Sequence, residues 1–412
     1  LTPLTNPRLA AYQLLLTFEH PRPAVLDERV DAVLNQAPWS PADKGLFFDL
    51  LYGTLRQWPR LSAIIAQRSR FPLEKQDPRA KTLLRLGLYQ LLFFNAPHAA
   101  VHTTIELAKQ VGLSSKSTGF MNAVLRGVQR EPVPLPPPAW PEWIAKQLPP
   151  DAPADMPELL LSPPPLTIRV NPKVVSPEAY QVQLVEAEVA CHPTDRPDVL
   201  VIDADMLPTA LPGFASGAYA IQDRSSAEVA HWVNPQPGET VLDLCAGLGS
   251  KTAHLAARMP DPTLLTAIEP HAGRFDRLLH NLTRLQLSGV QTVQTLAEDY
   301  TGPPADHVLV DAPCSALGTA RRHPEIVLHL SPKQLKSLTR LQAQLLARGW
   351  ELLKPGGTLI YSTCSILAVE NQQQVQAFLA QHPNAELLRQ EQRWITPEAD
   401  GFYLASLRKS ND

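Results

Sequence analysis

Cys314 lies in VLVDAPCSALG and Cys364 in IYSTCS, each just past a run of apolar and β-branched residues. A thiolate is a strong nucleophile, so a cysteine at the end of a strand is a candidate to attack an electron-poor carbon. One such cysteine alone is more often a small buried hydrophobe. Two at equivalent ends of strands expected to be neighbours converge on one cleft, and Asp311, just ahead of Cys314, brings an acid to it.

A second constellation, VLDLCAGLGSKT, sets Asp243 at a strand end, Cys245, Ala246, Gly247 and Gly249 in the following turn, and Lys251 at a helix start. Glycines let backbone approach a ligand closely, and a helix start offers free N–H groups. The spacing is neither GxGxxG nor the triphosphate-binding GxxxxGKS/T, so it supports a dinucleotide or a nucleoside triphosphate only weakly. Glu269, at the end of the next strand, is where a carboxylate accepts from ribose hydroxyls. Glu298 or Asp299 is the candidate partner of an adenine amino group, with nothing to choose between them, and Arg274 joins the cofactor set. NAD and S-adenosylmethionine both suit such a site. The acid ahead of the glycines and the cysteine-bearing strand end favour the methyl donor.

A thiol beside a methyl donor suits methylation of a pyrimidine carbon. Cytosine C5 is a poor nucleophile until a thiolate adds to C6, and a base must afterwards take the C5 proton. Asp311 is placed to bind the N3/N4 edge, where a shared proton stabilises charge built up during addition. Spacing does not say which cysteine adds and which assists. Arg321, Arg322 and His323, in RRHPEI, are candidates to contact phosphate around a flipped or single-stranded base.

These residues need an open sheet to position them. Strands are expected at 240–245, 264–269, 290–296, 306–312 and 358–363, with helices between, notably 331–353 stopped by KPGG at 354–357. That alternation gives a mostly parallel sheet covered on both faces, with ligands outside its carboxyl ends. Upstream, residues 7–130 read as helices, from NPRLAAYQLLLTFEH through PADKGLFFDLLYGTLRQWPRLSAIIAQRS to STGFMNAVLRGVQRE, with Ser40-Pro41 and Asp77-Pro78 as helix starts. The expected division is a helical domain over 1–131, a proline-rich linker without regular structure over 132–165, a small α+β connecting subdomain over 166–230 and an α/β catalytic domain over 231–412.

The 412 residues suffice for two or three domains. The four cysteines, at 191, 245, 314 and 364, form no CxxC pair, which argues against a zinc ribbon or other metal site and fits a reducing compartment. No targeting segment or apolar run of membrane-spanning length occurs, so a cytoplasmic protein without membrane contact is expected. The net charge of −3 hides an asymmetry: residues 1–131 hold 16 Lys plus Arg against 10 Asp plus Glu, leaving the rest near −9. A basic module joined to an acidic one points to a polyanionic partner, and Arg56, Arg60, Arg68, Arg70, Lys75, Arg79, Lys81 and Arg85 are its candidate phosphate-facing patch.

These motifs, with DLLYGTLR, LLRLGLYQLLF, GFMNAVLR, LTIRVN, GAYAIQDRSS, ENQ after YSTCS, and DGFYLASLRK, resemble the bacterial 16S ribosomal RNA cytosine-5 methyltransferase B family (Sun/Fmu) over nearly the whole chain. The resemblance implies a Rossmann-like class I methyltransferase domain, S-adenosylmethionine as cofactor, and a leading all-helical domain related to the antitermination factor NusB. It also implies 16S ribosomal RNA as substrate, free or in an early small-subunit assembly intermediate, and 5-methylcytidine as product. It makes Cys364 the covalent nucleophile, gives Cys314 a part in product release, and brings the Cys245–Lys251 turn to the methionine part of the cofactor. One departure concerns that turn: the family pattern A-P-G-G-K is here Gly247-Leu248-Gly249-Ser250-Lys251, so a less rigid or displaced turn is expected. A monomer is expected. Transfer RNA or DNA as substrate, a noncatalytic RNA-binding assembly protein, and a nicotinamide-dependent oxidoreductase are the competing readings.

Overall fold

The computed structural model describes residues 6–19, 26–204 and 206–411. The chain divides into two units. The first runs to Trp140 and takes in Leu160–Ser162 and His323–His329; the second holds Pro141–Leu159, Pro163–Arg322 and the chain from Leu330.

The first unit is helical, with its longer helices at Pro7–Leu16, Leu26–Gln36, Pro41–Phe48, Trp58–Arg68, Pro78–Phe93, Pro97–Gln110 and Ser115–Arg130. Side chains of Asn6, Ser40, Asp77 and Ser114 each accept a backbone N–H of the first turn, and proline follows the first three. Pro78–Phe93 is buried on every side from Ala80 to Leu91, so it is the core on which the others pack. Leu26–Gln36 was not among the expected helices, and His20, the last residue of the first expected one, lies outside the described residues. The run expected from Pro41 to Ser69 breaks at Gln57 after a π turn over Asp49–Gly53. Pro59 lacks the N–H that would continue the ladder.

The basic run is not one phosphate-facing surface. Lys81 and Arg85 turn inward onto Glu19, Lys81 at 2.8 Å, and the Arg85 guanidinium covers the Trp58 ring at 4.0 Å. Arg68 pairs with Glu131 at 3.1 Å and Arg79 with Asp77 at 2.8 Å. Because Glu19 stands 66 residues before Arg85, local spacing gave no sign that these cations are internal. Glu19→Ala should therefore cost about 3–5 kcal/mol, since it leaves two buried cations unpaired. A denaturation curve showing a loss below about 1 kcal/mol would contradict the pairing.

In the second unit the proline-rich stretch is more regular than expected. Short helices form at Glu142–Ala145 and Met156–Leu159, because Ile144 and Met156 between the prolines are fully buried anchors. A small antiparallel sheet follows, with strands β1 (Leu166–Val170), β2 (Cys191–Pro193), β3 (Val199–Ile202) and β4 (Tyr219–Ile221) in the order β2-β3-β1-β4. Helix Pro177–Glu186 packs on it through Tyr180 and Leu184. The Asn171 amide donates to the Gly217 and Leu285 carbonyls, at 2.9 and 2.8 Å, tying this sheet to the end of helix Ala272–Arg284.

The large sheet contains β5 (Val241–Asp243), β6 (Leu265–Ile268), β7 (Gln291–Val293), β8 (Ala305–Asp311), β9 (Leu353–Thr363), β10 (Ala385–Arg393) and β11 (Phe402–Lys409), in the order β10-β11-β9-β8-β5-β6-β7. β5 to β9 are parallel and β11 runs antiparallel between β9 and β10. β5 to β9 fall within or overlap the five expected strands; β10 and β11 are additional. Lys354–Gly357, expected to stop the preceding helix, instead opens β9, where Gly356 at φ +76° accompanies a register shift. The helix has already ended at Glu351. Among the described residues, no helix is long and apolar enough to cross a membrane.

Candidate active site

β8 and β9 are neighbours, with Asp311 opposite Ser362, so the turns that follow them meet. There the Cys314 and Cys364 sulfurs lie 3.5 Å apart. Contact with Cys364, then burial, pushes the Cys314 thiol well above the usual range. The Asp311 carboxylate accepts from the Ser362 hydroxyl at 2.8 Å and from Lys251 Nζ at 2.6 Å. Burial opposes the Lys251 charge, but attraction to Asp311 more than offsets it and holds the ammonium above its ordinary range. Lys251 also sits 5.2 Å from the centre of the Phe402 ring.

Of these groups Lys251, Cys364 and Phe402 line a cleft of about 270 Å³, with Gln222, Asp223, Thr319, Arg322 and Asp400 among its other walls. Cys364 lines it; Cys314 stands behind. Gly318 locks the wall in place. Its N–H donates to the Cys364 carbonyl and its own carbonyl accepts from Gly401 N–H, each at 2.9 Å.

The turn after β5 leads into the cleft, whose lining includes Ser250 and Lys251. Asp243, buried, accepts from the Thr252 hydroxyl at 2.7 Å and from Cys245 N–H at 3.3 Å. Ala246 N–H donates to the Ile268 carbonyl, and Gly249 N–H closes the turn on the Ala246 carbonyl at 2.8 Å. Gly249, at φ +84°, has no room for a side chain, since a Cβ would lie 2.4 Å from Leu278. A Cβ on Gly247, at φ +56°, would meet the Cys245 carbonyl oxygen only at 4.0 Å. Glu269, at the end of β6, accepts from Gly247 N–H at 3.0 Å and His271 N–H at 2.8 Å, with exposed Arg274 at 3.9 Å. The substituted turn is thus held at both ends by backbone bonds that need neither the proline nor the second glycine. Burial raises the Cys245 thiol above its usual range. Glu298 and Asp299 are both exposed beyond β7.

Burial also pushes the Asp243 carboxyl up to about 6, against the Thr252 hydrogen bond. Its unfolded value is about 3.9. Between these values the native chain binds more protons than the unfolded one, so this group's contribution to stability falls as pH rises through the window. Asp243→Asn removes that dependence. The wild-type minus variant difference in unfolding free energy should decline from about pH 4 to about 6 and be level above; a difference constant with pH would refute it.

Arg321 and Arg322 are not free for phosphate. Arg321, 3% exposed, donates to the Thr396, Pro397 and Pro163 carbonyls. Arg322 joins Asp400 at 2.5 Å and Asp223 at 3.2 Å. Burial, with Asp223 nearby, raises the Asp400 carboxyl to about 6. His323 belongs to the first unit, 3.9 Å from Asp27 and 3.6 Å from Glu325. Phe402, Asp400 and Asp223 received no role from sequence although DGFYLASLRK and GAYAIQDRSS contain them; an aromatic directly after Asp-Gly ahead of an apolar run was the available signal.

Away from the cleft, ligand atoms of Asp198, His231 and His254 lie within 4.8 Å of one another. Burial and the nearby Arg169 charge hold His254 down to about 3, and Arg169 itself is fully buried, so this corner already carries positive charge.

A family model described as 16S rRNA methyltransferase RsmB/F matches residues 230–408, the NusB family model matches 5–130, and a RsmF/B-like ferredoxin-like domain matches 140–207. The ribosomal RNA small subunit methyltransferase B of Pseudomonas putida is 36% identical over 436 residues, covering 98% of either chain. That of Vibrio cholerae is 36% identical over 399 residues, covering 90% of this chain and 91% of the other. The crystal structure of PH0851 has a TM-score of 0.79 over 99% of this chain and 100% of its own, at 22% identity. NSun6 from Pyrococcus horikoshii with SFG has 0.55 over 62% of this chain and 93% of its own, at 20% identity. These two likenesses concern the fold, a class I methyltransferase domain behind further domains. Length, domain order and identity together place the chain in the 16S rRNA methyltransferase RsmB/F family, to which it belongs.

Proposed function

We propose that the chain transfers the methyl group of S-adenosylmethionine to C5 of a cytidine in 16S ribosomal RNA, with Cys364 as nucleophile and Cys314 assisting release. The observation that carries the reading is that Cys364 lines the cleft beside the Lys251–Asp311 pair while its sulfur touches Cys314.

The residues suit the methyl donor. A Cβ on Gly247 would meet the Cys245 carbonyl oxygen only at 4.0 Å, the helix that starts at Ser250 has no side-chain cap, and Glu269 directly follows β6. Asp243 and the turn Cys245, Ala246, Gly247, Gly249 and Lys251 would hold the amino-acid part, Glu269 with Arg274 the ribose, and Glu298 or Asp299 the adenine. Bound there, the donor supplies an electrophilic methyl group to C5.

The chain's own groups do the rest. Cys364 Sγ adds to C6, and Asp311, steadied by Ser362 and Lys251, meets the N3/N4 edge, where the proton held within the 2.6 Å Lys251–Asp311 contact is shared as charge builds. The Phe402 ring offers a face for the base. While Cys364 is free, the contact with it and burial hold Cys314 in the thiol form. Once Cys364 is bonded to C6 and the methyl group is on C5, Cys314 passes its proton to solvent, and the resulting thiolate takes the C5 proton as the C5=C6 bond re-forms and the C6–S bond breaks, its electron pair returning to Cys364 Sγ. Since Arg321 and Arg322 are occupied within the second unit, the basic first unit supplies RNA contact.

Labelled methyl transfer to unmodified small-subunit RNA, naked and in partly assembled particles, with the modified nucleotide mapped, tests this. The expected result is 5-methylcytidine at one position. Transfer to transfer RNA alone, or donor binding with no transfer to either RNA, would overturn the substrate.

A further inference from the structure

We propose that Glu370 is a positioning residue that sets the contact between the two reactive sulfurs, by accepting hydrogen bonds from the serine that follows each cysteine. The role rests on the function proposed above; the geometry does not.

Glu370 is fully buried. One carboxylate oxygen accepts from Ser315 N–H at 2.8 Å and from the Gln342 amide at 3.0 Å; the other accepts from the hydroxyls of both Ser315 and Ser365. The two hydroxyls are themselves 3.1 Å apart. Gln342 also donates to the Pro313 carbonyl at 2.9 Å, so the turn bearing Cys314 is held on both sides of the cysteine. Asn371 does the same for Cys364: it accepts from the Thr363 hydroxyl at 2.6 Å and donates to the Ser365 carbonyl at 2.9 Å.

A buried carboxylate is costly unless its lone pairs are satisfied, and packed apolar residues would often fill such a place at no loss of stability. This one is satisfied by four donors, three of them on the residues next to the cysteines, and no ion pair to it occurs among the described residues. Its bonds therefore fix the distance between two turns that come from different strands. The nearby charge of Glu370 further disfavours ionisation of Cys314, in keeping with Cys314 as the protonated partner of the pair.

The test uses Glu370→Ala, Glu370→Gln and Ser365→Ala in the full chain. Sulfur proximity is read by diamide, which accepts two electrons and two protons as two thiols become a disulfide, and needs no RNA. Chemistry is read by single-turnover methyl transfer, and donor affinity is the control. Glu370→Ala should slow Cys314–Cys364 disulfide formation at least about tenfold and methyl transfer about 100-fold, with donor affinity unchanged, because an ångström of misplacement costs about that much. Glu370→Gln, which keeps a carbonyl acceptor, should recover part of both rates. Wild-type rates of both reactions in Glu370→Ala would overturn the role. If that variant does not fold, Ser365→Ala, which removes one hydroxyl, decides: disulfide formation slowed about threefold or more supports the role, and an unchanged rate overturns it. Should wild type transfer no methyl group to RNA, the proposed function fails while the disulfide comparison still judges the geometry.

Discussion

Cys364→Ala should lower single-turnover methyl transfer by more than about 10⁴-fold, because among the described residues lining the cleft Cys364 is the one thiol. Donor binding should be unaffected, since the turn after β5 is built without it. Cys314→Ala should behave differently. It leaves the nucleophile intact and removes the group that takes the C5 proton, so turnover should fall about 10²–10⁴-fold while protein covalently joined to RNA accumulates. A denaturing gel separates the two cases: a shifted band with Cys314→Ala, none with Cys364→Ala. The contrast is informative because the two sulfurs lie 3.5 Å apart and yet only Cys364 lines the cleft. The opposite pattern of bands would reverse the assignment, and normal turnover by Cys314→Ala would leave that thiol without a function.

The second large effect involves no reactive group. A Cβ on Gly318 would lie 2.0 Å from the Gly401 carbonyl oxygen and 2.8 Å from that of Cys364. Both obstacles are backbone, so no side chain can swing aside. Gly318→Ala must push the turn bearing Cys364 away from the segment leading to Phe402. We expect methyl transfer to fall about 100-fold, with about 1–3 kcal/mol of lost stability from overpacking. Gly127→Ala is the matched control: its Cβ would meet nothing within 4 Å in the helix Ser115–Arg130, and the change should stabilise the helix by up to about 1 kcal/mol without touching activity. Gly318→Ala with activity within about threefold of wild type would show that the two turns do not need this approach.

Much of the second unit was legible because parallel strands covered on both faces carry dense apolar, β-branched runs. VLVDAPC and LIYSTC announce both the strands and the residues at their ends, so Asp311, Cys314 and Cys364 could be gathered before any coordinates. β10 was not legible. Its AELLRQEQR is rich in helix-forming residues, and a register shift between Leu387 and Arg389 interrupts the alternation that marks a strand. The roles of cations were also hidden. Arg322 resembles a phosphate ligand until Asp223 and Asp400, 99 and 78 residues away, are seen to hold it. The same is true of Lys81 and Arg85 on Glu19. Apolar patterning is read within a few residues, whereas a charge is assigned only by the partner that the fold brings to it.

The insertion of β11 between β9 and β10 has a consequence for the newborn chain. Both cysteine motifs are synthesised before residues 400–409, yet Asp400 and Phe402 form a wall of their cleft and Gly401 braces the Cys364 turn. A ribosome-bound chain that has released β10 but not β11 has two strands with no partner between them. Such a chain lacks that wall of the cleft, and its β9 edge is open to mispairing with other chains. Insertion of β11 completes the cleft wall and covers the β9 edge in a single step.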